Sequence, residues 1–368
     1  MKRVLLVGKG APDRGGIPTF VHELSTGQLS LTHDISFLNV AHAGTPEGGR
    51  LSAQNFWRTL KDAVAVFRQA KGQDVVHINS ALAPTVTVVR AGLLALAGRL
   101  RGCAVIVHAH GGNIETWLTT RRARWVTRVA MSPATVVVAV WTAGQQALAG
   151  TLGEPRVRLV LNGVDTARFL PAGAGPNSPP RVLYVGLLTQ RKGVLDLIAA
   201  SKALQREGVA HELSLLGGIP DEGPEAAEPV LAAAQGHAVL LGTRSPDEMP
   251  AVYASADVFC LPSWWEAMPL SVLEAMAAGL PVVATDVGEV SRILTDGEDG
   301  FLTSPRAPEQ LADTLRKLIE DPEAAQRMGA AARSRAVTSF SSRATTQAIS
   351  ALYDEVTGIS ERESEARS

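Results

Sequence analysis

Two glutamates with seven residues between them, Glu266 and Glu274, lie in the segment PSWWEAMPLSVLEAMAAGLPVVATDVGEVSRILTDGEDG, which runs from Pro262 to Gly300. A carboxylate accepts two hydroxyl hydrogen bonds at once, which suits the diols of a sugar or a ribose. Pro269 suits the first position of a helix, where its missing N–H costs nothing, and Gly279 suits the end. The backbone N–H groups of Ala267, Met268, Leu270 and Ser271 would then gather at a helix N-terminus, which attracts phosphate. An anion-binding helix end flanked by two carboxylates describes a sugar–phosphate–ribose ligand. Two glutamates at this spacing also arise by chance on ordinary surfaces, so the reading needs support from elsewhere in the chain.

Support comes from four further places. Arg191 and Lys192 follow the strand-like run Arg181–Val185, and a planar fork beside a compact charge suits a diphosphate leaving group. The loop Gly8-Lys-Gly10-Ala-Pro-Asp-Arg-Gly15-Gly16-Ile-Pro18 joins a first strand to a helix opened by Pro18. Gly15 and Gly16 let the backbone approach a ligand closely, although the spacing is not that of a dinucleotide fingerprint. The strand end Val105-Ile-Val-His108-Ala-His110-Gly111-Gly112-Asn113 carries two histidines on one face. One can be a core histidine; His110, next to the glycines, is the one favoured to bond a sugar or stabilise charge. The turn Asn162-Gly163-Val164-Asp165 is, on local chemistry, simply an Asn-Gly turn.

Taken together and in this order, these residues resemble glycosyltransferase family 4 of the GT-B fold. The matching pieces are Gly15-Gly16, His110-Gly111, Asn162 to Asp165, Arg191-Lys192-Gly193, and Glu266-x7-Glu274 followed by Ala-Met-Ala-Ala-Gly-x-Pro-Val-Val-Ala-Thr. The resemblance implies retaining transfer of a hexose from a nucleotide-diphosphate sugar, with UDP the expected nucleotide, to a hydroxyl acceptor. It implies that Glu274 binds ribose hydroxyls and Glu266 the ring hydroxyls of the transferred sugar. Arg191 and Lys192 would take the diphosphate with Gly16 and the backbone at Ala267, Met268 and Leu270, and His110 the sugar near the acceptor. Gly15, Gly16, His108 and Asn113 fall to the acceptor side. Retention in this family is explained by same-face attack, the leaving phosphate oxygen taking the acceptor's proton. No cofactor is implied and no metal, since the sequence has no DxD triplet and cations with the helix end would hold the departing diphosphate. One departure stands out: where members with a Gly-Arg-Leu turn use the arginine, this chain has Leu187, and Arg191 is the candidate substitute. Ala267, where many relatives have Gly, narrows the space beside Glu266.

The elements that must position these residues alternate. Apolar runs at Val4–Val7, Ile35–Val40, Val75–Ile78, Ala104–Val107, Thr135–Val140 and Arg158–Leu161 recur between helical stretches, as βαβ units do. After Pro171-Ala-Gly-Ala-Gly-Pro-Asn-Ser-Pro-Pro180 the pattern restarts at Arg181–Val185, His211–Leu216, Ala238–Leu241, Asp257–Leu261 and Pro281–Ala284. The expectation is α/β, two facing Rossmann-like doubly wound domains with a cleft between them. Residues 1–170 would form an N-terminal, acceptor-side domain, 171–180 a linker and 181–341 a nucleotide-sugar-binding domain. Residues 342–357 read as a C-terminal helix packing back on the first domain, and 358–368 as a disordered tail.

At 368 residues the chain suits two cores, and 46% hydrophobic with 19% charged residues excludes general disorder. The net charge of −1 hides an asymmetry, with 19 Lys/Arg against 9 Asp/Glu before residue 171 and 16 against 27 after it. Either the basic half meets an anionic partner, such as a membrane or a phosphorylated acceptor, or the halves attract each other. Two segments mix aromatic and basic residues, Phe56 to Arg68 and Trp117 to Arg128. Both fit an anionic lipid surface as well as ordinary packed helices. Cys103 and Cys260 lie in apolar runs and read as reduced core thiols, and no stretch reaches the roughly 20 apolar residues of a membrane span. The chain is therefore expected to be cytoplasmic, with peripheral contact at the inner face of a membrane, in bacterial cell-surface polysaccharide or glycolipid synthesis. The acceptor would be a saccharide, a lipid-linked or a small-molecule hydroxyl, with no role for nucleic acid. A nucleotide-sugar epimerase or a non-catalytic sugar-nucleotide-binding subunit of the same fold stays open as the alternative.

Overall fold

The computed structural model describes all residues except 12, 14, 42–52, 112, 172–175, 219–223 and 366–368. Four of the ten residues of the expected linker and two residues of the first glycine loop thus lie outside the described residues. The chain divides into two compact units, Met1–Leu161 with Arg343–Ser368, and Asn162–Ser342.

The first unit holds a six-stranded parallel sheet of β1 (Arg3–Gly8), β2 (Asp34–Asn39), β3 (Val75–Ser80), β4 (Ala104–Ala109), β5 (Val136–Ala139) and β6 (Val157–Leu159). Its order is β2-β1-β3-β4-β5-β6. Central strands such as β5 are buried along their whole length, which is why they read as unbroken apolar runs, whereas no residue of the edge strand β2 is buried. The second unit repeats the plan with β7 (Arg181–Val185), β8 (Glu212–Leu216), β9 (Val239–Gly242), β10 (Val258–Leu261), β11 (Val282–Thr285) and β12 (Gly300–Thr303), ordered β12-β11-β10-β7-β8-β9. β12 is absent from the sequence expectation. It has four residues, two of them half-exposed, and follows an Asp-Gly turn, so neither an apolar run nor clear alternation marks it.

The division falls earlier than the expected boundary at residue 170. Asn162 bonds Met268, the Val164 N–H donates to the Phe340 carbonyl, and Arg333 donates to the carbonyls of Phe169, Ala277 and Thr166, so the Asn162–Phe169 turn belongs to the second unit. The last helix, Ser342–Glu365, lies from Arg343 onward within the first unit. There Lys2 Nζ bonds the Tyr353 carbonyl at 3.2 Å and pairs with Asp354 at 2.7 Å, while Thr345 Oγ1 donates to the Leu161 carbonyl at 2.9 Å. This helix continues to Glu365, well into the segment read as a disordered tail.

Candidate active site

In the second sheet the chain leaves β7 toward β8 on one side and returns as β10 on the other. Ligands of open α/β sheets bind at the carboxyl ends of two such strands, where the order reverses. Lys192, in the turn after β7, and Glu266, after β10, meet there with Nζ 2.5 Å from Oε1. Ser263 Oγ donates to the same oxygen at 2.7 Å, and Glu266 keeps only 7% of its surface. Two glycines allow this approach. Gly193 has φ +66°, and a Cβ on it would lie 1.8 Å from the Pro262 carbonyl oxygen. Gly288, which sequence reasoning missed, has φ +59°, and its Cβ would lie 2.1 Å from the Glu266 carbonyl oxygen. The Glu289 N–H beside it donates to the Ala267 carbonyl at 2.9 Å.

The helix that carries Glu274 spans Leu270–Ala277, with Pro269 as its N-cap in an extended conformation, so the proline stands just outside the helix rather than in its first position. Proline has no side-chain group to cap the first turn. Ala267, Met268 and Leu270 are buried. Asn162 pins this loop: its Nδ2 donates to the Met268 carbonyl at 3.0 Å and its backbone N–H to Met268 Sδ at 3.1 Å. The Asn-Gly turn is therefore a clamp on the helix entry, a contact no local pattern announces.

Glu274 sits deeper, 8% exposed, and accepts from Tyr253 Oη at 2.7 Å. Burial raises its carboxyl to about 7, against the opposing pull of the Tyr253 hydrogen bond and the Arg168 charge. Arg168 is itself held by the Pro246 carbonyl and by Asp247 at 3.3 Å. The adjacent cations part company. Lys192 is mostly covered against Glu266, whereas Arg191 is exposed, its Nη1 donating to the Trp265 carbonyl at 3.2 Å and its own carbonyl accepting from the Trp264 N–H at 2.9 Å. Trp264 is fixed by Asp196, 2.7 Å from its Nε1, and by the Arg306 guanidinium 4.3 Å above its ring. At Leu187 the backbone carbonyl accepts from Tyr184 Oη at 2.8 Å.

The first unit has the same topology, with its reversal between β1 and β3. Gly15, at φ +121°, precedes the helix Gly16–Thr26, which thus starts two residues before Pro18. A Cβ on Gly15 or Gly16 would meet nothing within 4 Å, so this stretch of backbone is open to solvent. Asn113, exposed and left-handed at φ 47°, precedes the short helix Ile114–Trp117.

The two histidines separate. His108, expected on the acceptor side, is fully buried beneath Phe20 and is a core residue. Its Nδ1 lies 3.1 Å from His77 Nε2, and His77 Nδ1 lies 2.8 Å from Tyr353 Oη. His108 Nε2 has no partner among the described residues. His110 stacks on His108 with centroids 4.4 Å apart and places Nε2 2.9 Å from Asn79 Oδ1. Burial pushes the His77 and His110 imidazoles down to about 3 and holds His108 well below the ordinary histidine value. A neutral His110 that donates its Nε2 proton to Asn79 keeps Nδ1 as an acceptor. It can receive a hydroxyl proton in a hydrogen bond but brings no positive charge. Asn79 and His77 went unnoticed in sequence, although two polar residues inside the buried strand VVHINS were a usable sign. Among the described residues no group of three or more His, Cys, Asp or Glu side chains is placed to hold a metal ion.

The model of "Glycosyltransferase Family 4" matches residues 14–168, and that of "Glycosyl transferases group 1" residues 168–335. An alpha-maltose-1-phosphate synthase of Mycolicibacterium smegmatis is 30% identical over 365 residues, covering 89% of this chain and 92% of its own. Among solved structures, sucrose-phosphate synthase from Thermosynechococcus elongatus superposes with a TM-score of 0.76 at 20% identity, covering 98% of this chain and 100% of that one. The Anabaena protein HepE in complex with UDP-glucose does so with a TM-score of 0.75 at 18% identity, covering 96% and 100%.

Proposed function

Since the chain belongs to glycosyltransferase family 4 and has the two Rossmann-like domains of the GT-B fold, we propose that it moves a hexose or hexose derivative from a nucleotide-diphosphate sugar to a hydroxyl acceptor, with retention and without a metal ion. The observation that carries this reading is the meeting of Lys192, Glu266 and Ser263 at the β7/β10 reversal, beside the start of the Leu270–Ala277 helix. The HepE complex with UDP-glucose supports UDP as the nucleotide.

In the proposed complex the diphosphate lies against Lys192 and the amides at Ala267, Met268 and Leu270, where cation and helix end share its charge. Glu274 accepts from the ribose hydroxyls and Glu266 from hydroxyls of the transferred ring. Arg191 turns from the Trp265 carbonyl to the phosphate and replaces the arginine that other members carry at the Leu187 position. Gly16 adds a backbone contact to the donor, and Gly15 and Asn113 belong to the acceptor side. His110 accepts a hydrogen bond from a sugar hydroxyl through Nδ1. As the bond from the anomeric carbon to the phosphate oxygen breaks, the acceptor oxygen bonds that carbon on the same face. Its proton passes to the departing phosphate oxygen, so no protein base is consumed. The setting is cell-surface polysaccharide or glycolipid synthesis at the cytoplasmic face of a bacterial membrane.

The test is a panel of UDP-, GDP- and ADP-sugars in thermal unfolding, followed by assay of free nucleotide with candidate acceptors. A ligand at about a hundred times its Kd adds roughly 2.7 kcal/mol to the folded state, enough to rank the bases. Stabilisation by UDP-sugars, with acceptor-dependent UDP release, is the expected result. Binding without release for every acceptor would favour the non-catalytic subunit, and no stabilisation by any sugar nucleotide refutes the donor site.

A further inference from the structure

We propose that the helices Ala53–Gln69, Thr85–Arg99 and Arg121–Ala130 of the first unit together form a docking face for an anionic lipid bilayer. The middle helix packs against the other two, so the three make one layer on the sheet. Close packing is built in: a Cβ on Gly92 would lie 2.5 Å from the Ala130 carbonyl oxygen, and one on Gly98 would lie 3.0 Å from Val76 in β3. Arg90 reaches Asp62 at 2.8 Å and ties the first two helices together.

The outer side of this layer is apolar in stripes. Phe56, Leu60, Val64 and Phe67 follow one another at helical spacing on the first helix, Val89, Leu93, Leu96 and the adjoining Leu100 on the second, and Trp125 and Val129 on the third. All are exposed, as is Trp57; Trp57 and Trp125 show 60% and 64% of their surface. The middle helix is the informative one. Its inner face, Val88, Ala91, Leu94 and Ala95, is buried as a core helix requires, yet the opposite face carries Val and Leu where a water-facing helix carries polar side chains.

Charge identifies the occupant. The three helices hold nine Arg and Lys and one carboxylate, Asp62, which is buried against Arg90. A second copy of so basic a face would be repelled, and a purely phosphate-bearing polymer would leave the stripes uncovered. A bilayer with anionic headgroups meets both demands: aromatic and aliphatic side chains sink to the acyl boundary while cations stay among the phosphates. No helix among the described residues is long and apolar enough to cross the membrane, so the contact is on the surface.

The test is flotation of the full chain, without donor, on vesicles of equal phosphatidylglycerol and phosphatidylcholine against phosphatidylcholine alone, with tryptophan emission read alongside. Expected are co-flotation only with the anionic vesicles, its loss at high salt, and a blue shift on binding. A charge near an anionic surface contributes about 1 kcal/mol, so replacing Arg121, Arg122 and Arg124 together by Gln should weaken binding roughly a hundredfold. Leu93→Ser with Leu96→Ser should also release the protein while leaving its melting temperature and UDP-sugar binding unchanged. Absence of flotation at low salt, equal binding to neutral vesicles, or indifference to the Leu93/Leu96 pair overturns the proposal. So does a dimer in solution that the same substitutions dissociate. Because the assay contains no donor, its outcome is independent of whether the chain transfers sugar.

Discussion

Glu274 has the environment from which a pH dependence can be derived. Its carboxyl is raised to about 7 by burial, above the ordinary carboxylate value near 4.3 of an unfolded chain. A raised acid favours the protonated fold, so its ionisation costs stability increasingly as pH rises from the unfolded value through about 7. Glu274→Gln should therefore melt higher than the parent at pH 8 and converge with it only at about pH 4, below the unfolded value. In the proposed complex donor binding would carry the opposite dependence, because ribose hydroxyls need the ionised acceptor. Affinity for UDP should fall by up to about tenfold per unit as pH drops below 7, and the Gln variant should bind more weakly with a flat profile. Calorimetric titration across pH checks both the sign and the flattening. Asn79 Oδ1 lies 2.9 Å from His110 Nε2, where it can accept that ring's proton and leave Nδ1 free to accept. Asn79→Asp would draw that imidazole toward its charged form and give the pH–rate profile a new limb near neutrality, whereas Asn79→Leu would lower kcat without one. Identical profiles for both variants would remove Asn79 from the positioning of His110.

The turns after β7 and β10 approach one another through glycines, and this explains why the site residues depend on positions that do no chemistry. Gly193 combines a left-handed φ with a carbonyl where a Cβ would stand, whereas Gly208 has φ +83° and open space around it. Gly208→Ala should cost about 1–2 kcal/mol, the conformational term alone. Gly193→Ala should cost clearly more and weaken donor binding, because Lys192 moves with the turn; denaturant midpoints for the two variants give the comparison. The elements themselves were largely readable in sequence, since buried parallel strands are near-continuous apolar runs and β4 or β7 can hardly be mistaken. β12 was not readable, being short and half-exposed. Nor was the side-chain geometry. Nothing in Arg191-Lys192 says that one cation is covered by Glu266 and the other lies exposed against the Trp265 carbonyl, because that depends on where the β10 turn crosses. His108 and His110 were distinguishable only to the extent that glycines follow the second.

At the scale of the whole chain, two sheets of the same plan each place their polar groups at the reversal of strand order, and the sequence announced both through glycine-rich turns at strand ends. What it concealed was long-range: Asn162 clamping Met268, and the return of the last helix to the first unit through Lys2, Thr345 and Tyr353. In the proposed complex the donor is gripped in parts, the phosphates by Lys192, the ribose by Glu274 and the transferred ring by Glu266. Titration calorimetry of UDP and of UDP-glucose against Lys192→Ala and Glu266→Gln tests this division most directly. Lys192→Ala should weaken both ligands at least about tenfold, since each loses a charge-assisted contact of roughly 1.5–3 kcal/mol. Glu266→Gln should weaken UDP-glucose alone. Unchanged affinity of Lys192→Ala for UDP, in a protein that still melts as the parent does, would contradict that division.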